Sequence, residues 1–336
     1  MKLLITGGCG FIGSNFINGQ ILNTENTILN IDKLSYAGNK ENLSNISNIK
    51  RYNFLKADIC DLRLINQIIL EYKPDALIHF AAESHVDRSI YNSKNFINTN
   101  IIGTYNLLTS CQKYLNKDIS KNFRFIHIST DEVYGTLGKN GSFDEKSSYN
   151  PSSPYSASKA ASDHLVRAWN KTYNFPSIIT NCSNNYGPYQ FPEKLIPLTI
   201  TNCLEKKKIP IYGTGKNIRD WLFVDDHCRA IDTILNHGKI GNTYNIGGNN
   251  EINNFDIVET ICKIMDKIKP LKNSMKYNEL IEFVADRPGH DFRYSVNSKK
   301  IKKELNWNPK ENFESGILRT INWYINNENW WRKIKK

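Results

Sequence analysis

The chain has 336 residues, of which 40% are hydrophobic and 23% charged, so it is long enough to bury one or two substantial cores. This composition excludes a chain that is disordered throughout, and no run approaches the roughly 20 apolar residues that a membrane span requires. The formal net charge of +11 comes from dispersed lysines without interleaved aromatic residues, which disfavours a nucleic-acid-binding protein.

Short apolar runs alternate with helical patterns through the first half of the chain. The runs that predict buried strands are Leu3–Thr6, Thr27–Ile31, Arg51–Ala57, Ala76–Phe80, Phe123–Ile128 and Ser177–Asn181. The stretches that predict helices are Phe11–Leu22, Leu62–Glu71, Phe96–Tyr114 and Ser156–Tyr173. This alternation indicates an α/β fold with a doubly wound, Rossmann-type parallel sheet, in which ligands bind at the carboxyl ends of the strands.

The pattern changes after about Asn184, where Pro188, Pro192, Pro197 and Pro210 interrupt the alternation. We therefore predict a first domain over residues 1–183. A smaller C-terminal substrate-binding lobe is predicted over residues 184–336, with some of its segments returning to the first domain.

The arrangement of the cysteines bears on metal binding, on disulfide bonds and on cellular location. Seven are scattered along the sequence, and no two have the C-x-x-C spacing, which argues against a metal site and against a disulfide framework. Gly7 and Gly8 end the first apolar run too early for a signal peptide. We therefore expect reduced thiols and a cytoplasmic location.

A glycine-rich turn follows the first predicted strand and precedes the first predicted helix. Gly7, Gly10 and Gly13 have the spacing G-x-x-G-x-x-G. The first glycine permits a tight turn, the second lets the backbone approach a pyrophosphate, and the third lets helix and strand pack closely. In this context the spacing predicts a dinucleotide site.

Two aspartates at predicted strand ends extend this site. Asp32 ends the second strand, where a carboxylate accepts hydrogen bonds from the ribose hydroxyls and repels a 2′-phosphate, so NAD is favoured over NADP. Asp58 follows the third strand and is placed to reach the adenine amine. The alternative for both residues is that they only cap turns.

Tyr155 and Lys159 occupy positions i and i+4 of a predicted helix and therefore share one face. A lysine ammonium near a phenol stabilises the phenolate and lowers its pKa. Such a tyrosine takes a proton from an alcohol while hydride leaves for nicotinamide. The alternative is an ordinary surface pair, but the upstream glycine turn favours the catalytic role.

The strand that ends near Ile128 is followed by Thr130, Asp131 and Glu132. Thr130 can donate a hydrogen bond to a sugar oxygen or a carbonyl. Two adjacent carboxyl groups exceed what alcohol oxidation needs, and they suit a reaction in which one proton is removed and one hydroxyl is protonated. The alternative for Asp131 is that it caps a short helix.

These motifs and several others resemble the extended short-chain dehydrogenase/reductase superfamily and, within it, the dTDP-glucose 4,6-dehydratase family. The resemblance covers nearly the whole chain. It is carried by Thr6–Ser14, His79–Ser89, Ser129–Gly135, Tyr155–Lys159, Asn184–Tyr189, Phe191–Leu195, Arg219–Trp221 and Asp286–Asp291.

The resemblance implies a lyase that uses bound NAD and regenerates it in each cycle. Tyr155, helped by Lys159, would deprotonate the glucose C4 hydroxyl as hydride leaves C4, and Thr130 would polarise the new ketone. Glu132 would remove the C5 proton, and Asp131 would protonate the departing C6 hydroxyl. Return of hydride to C6 would give a 4-keto-6-deoxy sugar for deoxysugar biosynthesis.

The resemblance also implies two sets of binding residues. NAD would contact Gly7, Gly10, Phe11, Ile12, Gly13, Asp32, Lys33, Leu34, Ser35, Asp58, Ile59, Phe80, Ala81, Ala82, Glu83, Ser84, Thr99, Tyr155, Lys159 and Asn185. The nucleotide-sugar would contact Ser84, Thr130, Asn184, Lys194, Leu195, Pro210, Ile211, Tyr212, Arg219, Asn254, Asp286, Arg287, Pro288, Gly289 and His290.

Some of these assignments leave alternatives open. Arg219 and Arg287 suit a diphosphate because guanidinium groups bind it bidentately, but the adjacent Asp220 and Asp286 make surface ion pairs an alternative. His85 and Asp87 are expected to structure a loop rather than to catalyse.

Other functions remain alternatives at this stage. One is a dehydratase or 4-epimerase acting on a UDP-, GDP- or CDP-hexose, and another is a non-catalytic NAD-binding sensor. Epimerisation would not need the two acids after Thr130, and a sensor would not need Tyr155 with Lys159. The resemblance further implies a homodimer formed through Phe96–Tyr114 and Ser156–Tyr173.

Overall fold

The computed structural model describes residues 1–117 and 122–335. The strands are β1 (Lys2–Thr6), β2 (Thr27–Asp32), β3 (Tyr52–Lys56), β4 (Ala76–His79), β5 (Arg124–Thr130), β6 (Ser177–Cys182), β7 (Asn184–Tyr186), β8 (Ile209–Tyr212), β9 (Ile218–Phe223), β10 (Thr243–Ile246), β11 (Glu251–Asn253) and β12 (Ile281–Val284).

The helices complete the description of the elements. They are α1 (Phe11–Asn23), α2 (Leu62–Tyr72), α3 (Val86–Tyr91), α4 (Ser93–Phe96), α5 (Thr104–Lys117), α6 (Pro154–Tyr173), α7 (Leu195–Glu205), α8 (Val224–His237), α9 (Asn254–Ile268), α10 (Lys299–Leu305), α11 (Phe313–Asn326) and α12 (Glu328–Ile334). Short 3₁₀ segments cover Lys40–Ile46, Asp131–Tyr134 and Tyr277–Leu280, and a π-helical segment covers Ile97–Gly103.

Seven strands form one parallel sheet in the order β10-β6-β5-β4-β1-β2-β3. Strand β1 pairs with β2 on one side and β4 on the other, so the direction of winding reverses there. In open α/β sheets ligands bind at such a reversal, beyond the carboxyl ends of the strands. The predicted doubly wound fold is confirmed.

Helices bury both faces of this sheet, which explains why its strands are almost continuously apolar. Leu3 and Ile5 pack into the core on one face, and Leu4 packs into the core on the other, as the two-residue period of a strand requires. All four residues of β4 and all six of β6 are buried.

The C-terminal half forms a second core and also rejoins the first. Strands β7, β9 and β11 make a small sheet, and β8 pairs with β12. Large buried side chains such as Tyr186, Phe223 and Trp331 fill the core between these strands and α7, α9 and α11. Strand β10 joins the large sheet, and α8 packs on α1. The division at residue 183 stays a prediction.

The predicted helix Phe96–Tyr114 is not continuous. The π-helical segment lies between α4 and α5. The side chain of its buried Asn100 accepts a hydrogen bond from the backbone N–H of Glu83 at 2.9 Å and donates one to the carbonyl oxygen of Glu83 at 3.0 Å. Apolar periodicity does not reveal such a wide turn, and π-turns are frequent at functional sites.

Within the residues that the structure describes, every helix is too short or too polar to cross a bilayer.

Candidate active site

The glycine turn has the conformation that its sequence predicts. Gly7 has φ +71°, and a Cβ there would lie 2.5 Å from the backbone of Ala81. A Cβ on Gly13 would lie 2.5 Å from the carbonyl oxygen of Gly7. Gly10 precedes α1 without a side-chain cap, so the first N–H groups of the helix face the cleft and suit a pyrophosphate.

Asp32 is buried beside this turn and is already hydrogen-bonded. Its carboxylate accepts from the backbone N–H of Cys9 at 3.0 Å and of Leu34 at 2.8 Å. Burial raises the pKa of Asp32, and these two N–H groups oppose the rise. Asp58 likewise accepts from Cys60 N–H at 2.9 Å. Both aspartates therefore cap turns and also line the cleft.

The structure places most of the predicted cofactor residues around one cavity, called here the dinucleotide cleft. Those that line it are Gly7, Gly10, Phe11, Ile12, Gly13, Asp32, Lys33, Ser35, Asp58, Ile59, Phe80, Ala81, Ala82, Ser84, Thr99, Tyr155, Lys159 and Asn185. Two predicted residues do not line the cleft. Leu34 occupies a left-handed turn with φ +57°, and Glu83 lies 3.6 Å from the Lys33 ammonium. The predicted residues that do line the cleft form a set that fits a dinucleotide.

Tyr155 lies in the first turn of α6, at the floor of the cleft. Ser153 and Ser156 form a reciprocal capping box that fixes where this helix begins. Lys159 follows one turn later, and its ammonium donates to the carbonyl oxygen of Ile128 at 2.8 Å. Both side chains are buried, so the alternative of a surface pair is wrong.

The pKa of Tyr155 differs from the sequence prediction. Burial raises it well above its ordinary value, and the charge of Glu132 raises it further, while a hydrogen bond with Thr130 opposes the rise. The expected lowering by Lys159 is therefore wrong for the protein without ligands. The Lys159 ammonium donates to a strand carbonyl, and burial of the phenol is the largest influence on the pKa of Tyr155.

The two acids follow β5 directly. The Thr130 hydroxyl, rather than Asp131, caps the short helix over Asp131–Tyr134 by accepting from Glu132 N–H at 3.3 Å. The alternative that Asp131 serves as the cap is therefore wrong. Burial and the neighbouring Glu132 raise the pKa of Asp131 well above its ordinary value. Asp131 thus suits a proton donor.

The charged surroundings of Glu132 differ from those of Asp131, because more cations act on Glu132. Burial raises the pKa of Glu132, and the charges of Arg287, Lys194 and Arg219 oppose this rise, in that order of strength. These cations favour the carboxylate. The two neighbouring acids therefore differ in environment as a proton donor and a proton acceptor must.

A second cavity, called here the distal cavity, opens between the two cores. Predicted substrate residues that line it are Asn184, Lys194, Leu195, Pro210, Ile211, Tyr212, Arg219, Asn254, Arg287 and His290. Ser84 and Thr130 line the dinucleotide cleft instead. Asp286, Pro288 and Gly289 line neither cavity, and Asp286 pairs with His290 at 2.6 Å. The two cavities meet at Glu132 and Lys194, which line both.

The two arginines do not pair with the aspartates beside them in sequence. Arg219 is buried, stacks over the Tyr294 ring at 4.3 Å and donates to the carbonyl oxygen of Asp291 at 2.9 Å. Arg287 lies 3.4 Å from Asp87. The alternative of surface ion pairs with Asp220 and Asp286 is therefore wrong.

Comparison with known proteins agrees with this site. A family profile described as GDP-mannose 4,6 dehydratase matches residues 4–320. A dTDP-glucose 4,6-dehydratase of Salmonella typhimurium is 57% identical over all of this chain and 96% of its own length. The chain belongs to the dTDP-glucose 4,6-dehydratase family.

Solved structures of this dehydratase family have the same fold. The Bacillus anthracis enzyme, determined in complex with NAD, has a TM-score of 0.89 at 45% identity, with 99% of each chain covered. The Streptomyces venezuelae enzyme, also with NAD bound, has a TM-score of 0.91 at 42% identity, with 99% of this chain and 100% of that chain covered.

Sequence reasoning missed several side chains that line this dehydratase-family site. Tyr36 and Phe191 line the dinucleotide cleft, Trp221 and Tyr294 line the distal cavity, and Glu193 lines both. Glu193 lies within a segment that already indicated the family, between Phe191 and Leu195, so its position was a usable signal. Tyr294 offered none, because only folding brings it beneath Arg219.

His85 and Asp87 line the distal cavity and also make contacts within the protein, so their structural role stays a prediction. The His85 ring accepts from Arg88 N–H at 3.4 Å and so caps α3. Asp87 pairs with Arg287 and lines the distal cavity. The structure holds no group of three His, Cys, Asp or Glu side chains placed for a metal ion among residues 1–117 and 122–335.

Proposed function

We propose that this chain dehydrates dTDP-glucose to dTDP-4-keto-6-deoxyglucose. The observation that carries the proposal is the convergence of Tyr155, Asp131 and Glu132 at the carboxyl end of β5, where the two cavities meet. One phenol and two carboxyl groups of unlike environment provide one proton acceptor for oxidation and one acid/base pair for elimination.

NAD would be held by the first turn of α1 and by Asp32, with the ribose-facing loop at Lys33 and Ser35. When bound, it supplies a hydride acceptor that takes hydride from C4 and returns it to C6. The carboxylate of Asp32 supports NAD over NADP, because a 2′-phosphate would face a buried negative charge.

Tyr155, as the phenolate, begins the reaction by taking the proton of the C4 hydroxyl. Its burial excludes water from the site of proton transfer. Lys159 supplies a positive charge one helical turn away, and Thr130 donates to the C4 oxygen as it becomes a ketone. Each of these side chains lies at the floor of the dinucleotide cleft.

Glu132 and Asp131 then carry out the elimination. The ketone acidifies the C5 proton, which Glu132 removes as an ionised base. Asp131, whose pKa is raised by burial and by Glu132, gives its proton to the C6 oxygen, which leaves as water. The proton on Glu132 later returns to C5. Tyr155 releases to solvent the proton that it took from the C4 hydroxyl, and Asp131 regains one from solvent, so the cycle closes.

The rival functions fit the site less well. Epimerisation at C4 needs the phenol but not the paired acids after Thr130. The relatives at 53–57% identity are named dTDP-glucose 4,6-dehydratase, which supports dTDP as the nucleotide of the substrate. Arg219 and Arg287 reach the distal cavity, where they suit its diphosphate.

The proposal is tested by incubating the purified chain with dTDP-glucose and no added NAD, followed by detection of the 4-keto product in alkali. UDP-, GDP- and CDP-glucose are run in parallel. Product from dTDP-glucose alone is expected. Oxidation without elimination, or a preference for another nucleotide, would overturn the assignment.

The chain is also proposed to act as a homodimer. Ile97 and Ile102 on the π-helical segment, Tyr105 on α5 and Tyr173 on α6 are 41% to 51% exposed. Trp169 connects two of them, since its ring meets those of Tyr105 and Tyr173 at 5.9 and 5.5 Å. An exposed apolar surface of this kind suits a twofold contact with a second copy.

Sedimentation analysis of an Ile102→Glu, Tyr105→Glu double variant tests the dimer. We expect the unaltered chain to sediment as a dimer and the variant as a monomer. The control is Leu22→Glu on α1, a residue that is 67% exposed elsewhere on the surface. A monomeric unaltered chain would contradict the proposal.

A cytoplasmic location is part of the same proposal. All seven cysteines are free, and five of them are buried. Thiols that pack as small apolar side chains suit a reducing compartment. Secretion of the native chain in fractionated cells would contradict this location.

A further inference from the structure

Behind the catalytic lysine lies a buried acid that the proposed mechanism does not use. Asp163 is on α6, one turn after Lys159, and is fully buried. One of its carboxylate oxygens accepts from the Ser129 hydroxyl and the Tyr149 hydroxyl, each at 2.9 Å. The other lies 3.1 Å from Nε2 of His127. Such dense hydrogen bonding is what a buried carboxylate needs to remain ionised.

The surroundings of Asp163 keep its negative charge. Burial opposes ionisation, but the pKa of Asp163 is nonetheless lowered by its contact with His127, by the charge of Lys159 and by the Ser129 hydroxyl. Burial together with Lys159 lowers the pKa of His127 to about 4. The imidazole is therefore neutral at physiological pH, and its Nε2 also lies 3.2 Å from the Ser162 hydroxyl.

Lys159 is thus the buried cation that balances Asp163. Burial lowers the pKa of Lys159, and the charge of Asp163 is the largest influence that raises it. Arg167 contacts the cluster from further away, donating to the Tyr149 hydroxyl at 2.7 Å. Cys182 on β6 also faces Lys159, and burial raises the pKa of that thiol to about 12, so it stays neutral.

A second contact links Asp163 to the end of β5. The amide nitrogen of Asn181 lies 3.3 Å from the Asp163 carboxylate and 3.1 Å from the carbonyl oxygen of Thr130. Ser129, which also donates to Asp163, immediately precedes Thr130. Asp163 therefore stabilises the carboxyl end of β5, where Thr130, Asp131 and Glu132 lie.

We propose that Asp163 is a positioning residue for the dehydration, the buried counter-ion that keeps Lys159 protonated behind Tyr155. The inference rests on the proposed function. Without the anion, an ammonium in this interior loses its proton at lower pH, and the phenolate of Tyr155 loses its positive neighbour.

The test compares Asp163→Asn with Tyr149→Phe. The first keeps the side chain's shape and removes its charge, whereas the second removes one hydrogen bond to the same carboxylate and keeps the charge. The measurement is the pH dependence of NAD reduction by dTDP-glucose in a single turnover of the NAD-loaded protein. Since Lys159 must stay protonated, its titration sets the alkaline limb of this profile.

We expect Asp163→Asn to move the alkaline limb to lower pH by about one unit or more, which is a tenfold rate loss per unit on that limb. Tyr149→Phe is expected to leave the limb in place. An unmoved limb in Asp163→Asn, or an equal shift in both variants, would assign Asp163 a structural role only. If the unaltered chain does not reduce its NAD with dTDP-glucose, the proposed function itself fails.

A measurement on the unaltered chain keeps the inference testable if Asp163→Asn does not fold. The ammonium of Lys159 can be titrated by nitrogen NMR and assigned by the loss of its signal in Lys159→Ala. Protonation that persists above about pH 8 supports the counter-ion. Titration near pH 6, where lysines buried without a partner lose their proton, would refute it.

Discussion

Glu132→Gln is expected to separate the oxidation at C4 from the elimination of water across C5 and C6. The substitution keeps the shape of the side chain and removes the base that takes the C5 proton. Loss of a positioned general base slows proton transfer by about 10²–10⁴-fold, which corresponds to about 3–5 kcal/mol in the barrier. Elimination should slow by this factor, because the raised pKa of Asp131 favours its protonated form over the role of the base.

The same substitution should spare the oxidation of C4. The charge of Glu132 raises the pKa of Tyr155, so removing that charge lowers this pKa. The phenolate then forms at lower pH, and the acid limb of NAD reduction by substrate should shift to lower pH. The variant is therefore expected to accumulate reduced cofactor while product formation nearly stops.

Two measurements in D₂O follow these two steps separately. Absorbance of reduced nicotinamide reports oxidation at C4, and mass spectrometry of the sugar reports deuterium at C5. Glu259→Gln, which removes a carboxylate paired with Lys263 on the surface of α9, serves as the matched control. Deuterium entering C5 at the unaltered rate in Glu132→Gln would refute the role of Glu132.

Three further outcomes are expected. Tyr155→Phe should reduce substrate-driven NAD reduction by about 10²–10⁴-fold while bound NAD, measured after gel filtration, is retained; unchanged turnover would remove Tyr155 from the mechanism. Asp32→Ala should lose the bonds to Cys9 and Leu34 and weaken discrimination against NADP, measured as the ratio of the two dissociation constants; an unaltered ratio would mean that another group senses the 2′-phosphate. Trp331→Ala should lower the free energy of unfolding by about 3–5 kcal/mol, because this side chain is fully buried in the second core; urea denaturation checks it, and a loss well below about 1 kcal/mol would show that the core collapses around the gap.

Local sequence was sufficient wherever short-range physics decides the outcome. The six strands predicted in the first half occur within a few residues of their predicted bounds. Gly7 and Gly13, which the spacing singled out, make backbone approaches that no side chain permits. Tyr155 and Lys159 share a helix, so their proximity follows from the period of the helix itself.

Local sequence did not predict the contacts between residues that are far apart in the chain. Arg287 stands next to Asp286 in sequence but pairs with Asp87, and Arg219 stacks on Tyr294. The pKa of Tyr155 depends on burial, which its local sequence does not encode.

The sequence by itself therefore determined the strand–helix order of the first half, the dinucleotide turn and the family, and it predicted the candidate catalytic side chains. Each depends on neighbours within a turn or a strand, where geometry is fixed by the chain's own periodicity. Only the tertiary structure decided how the environments of the two carboxyl groups differ, which charges face each other, and that Asp163 lies behind Lys159 among Ser129, Tyr149 and His127. These depend on desolvation and on Coulomb interactions, which exist only once distant segments have packed together.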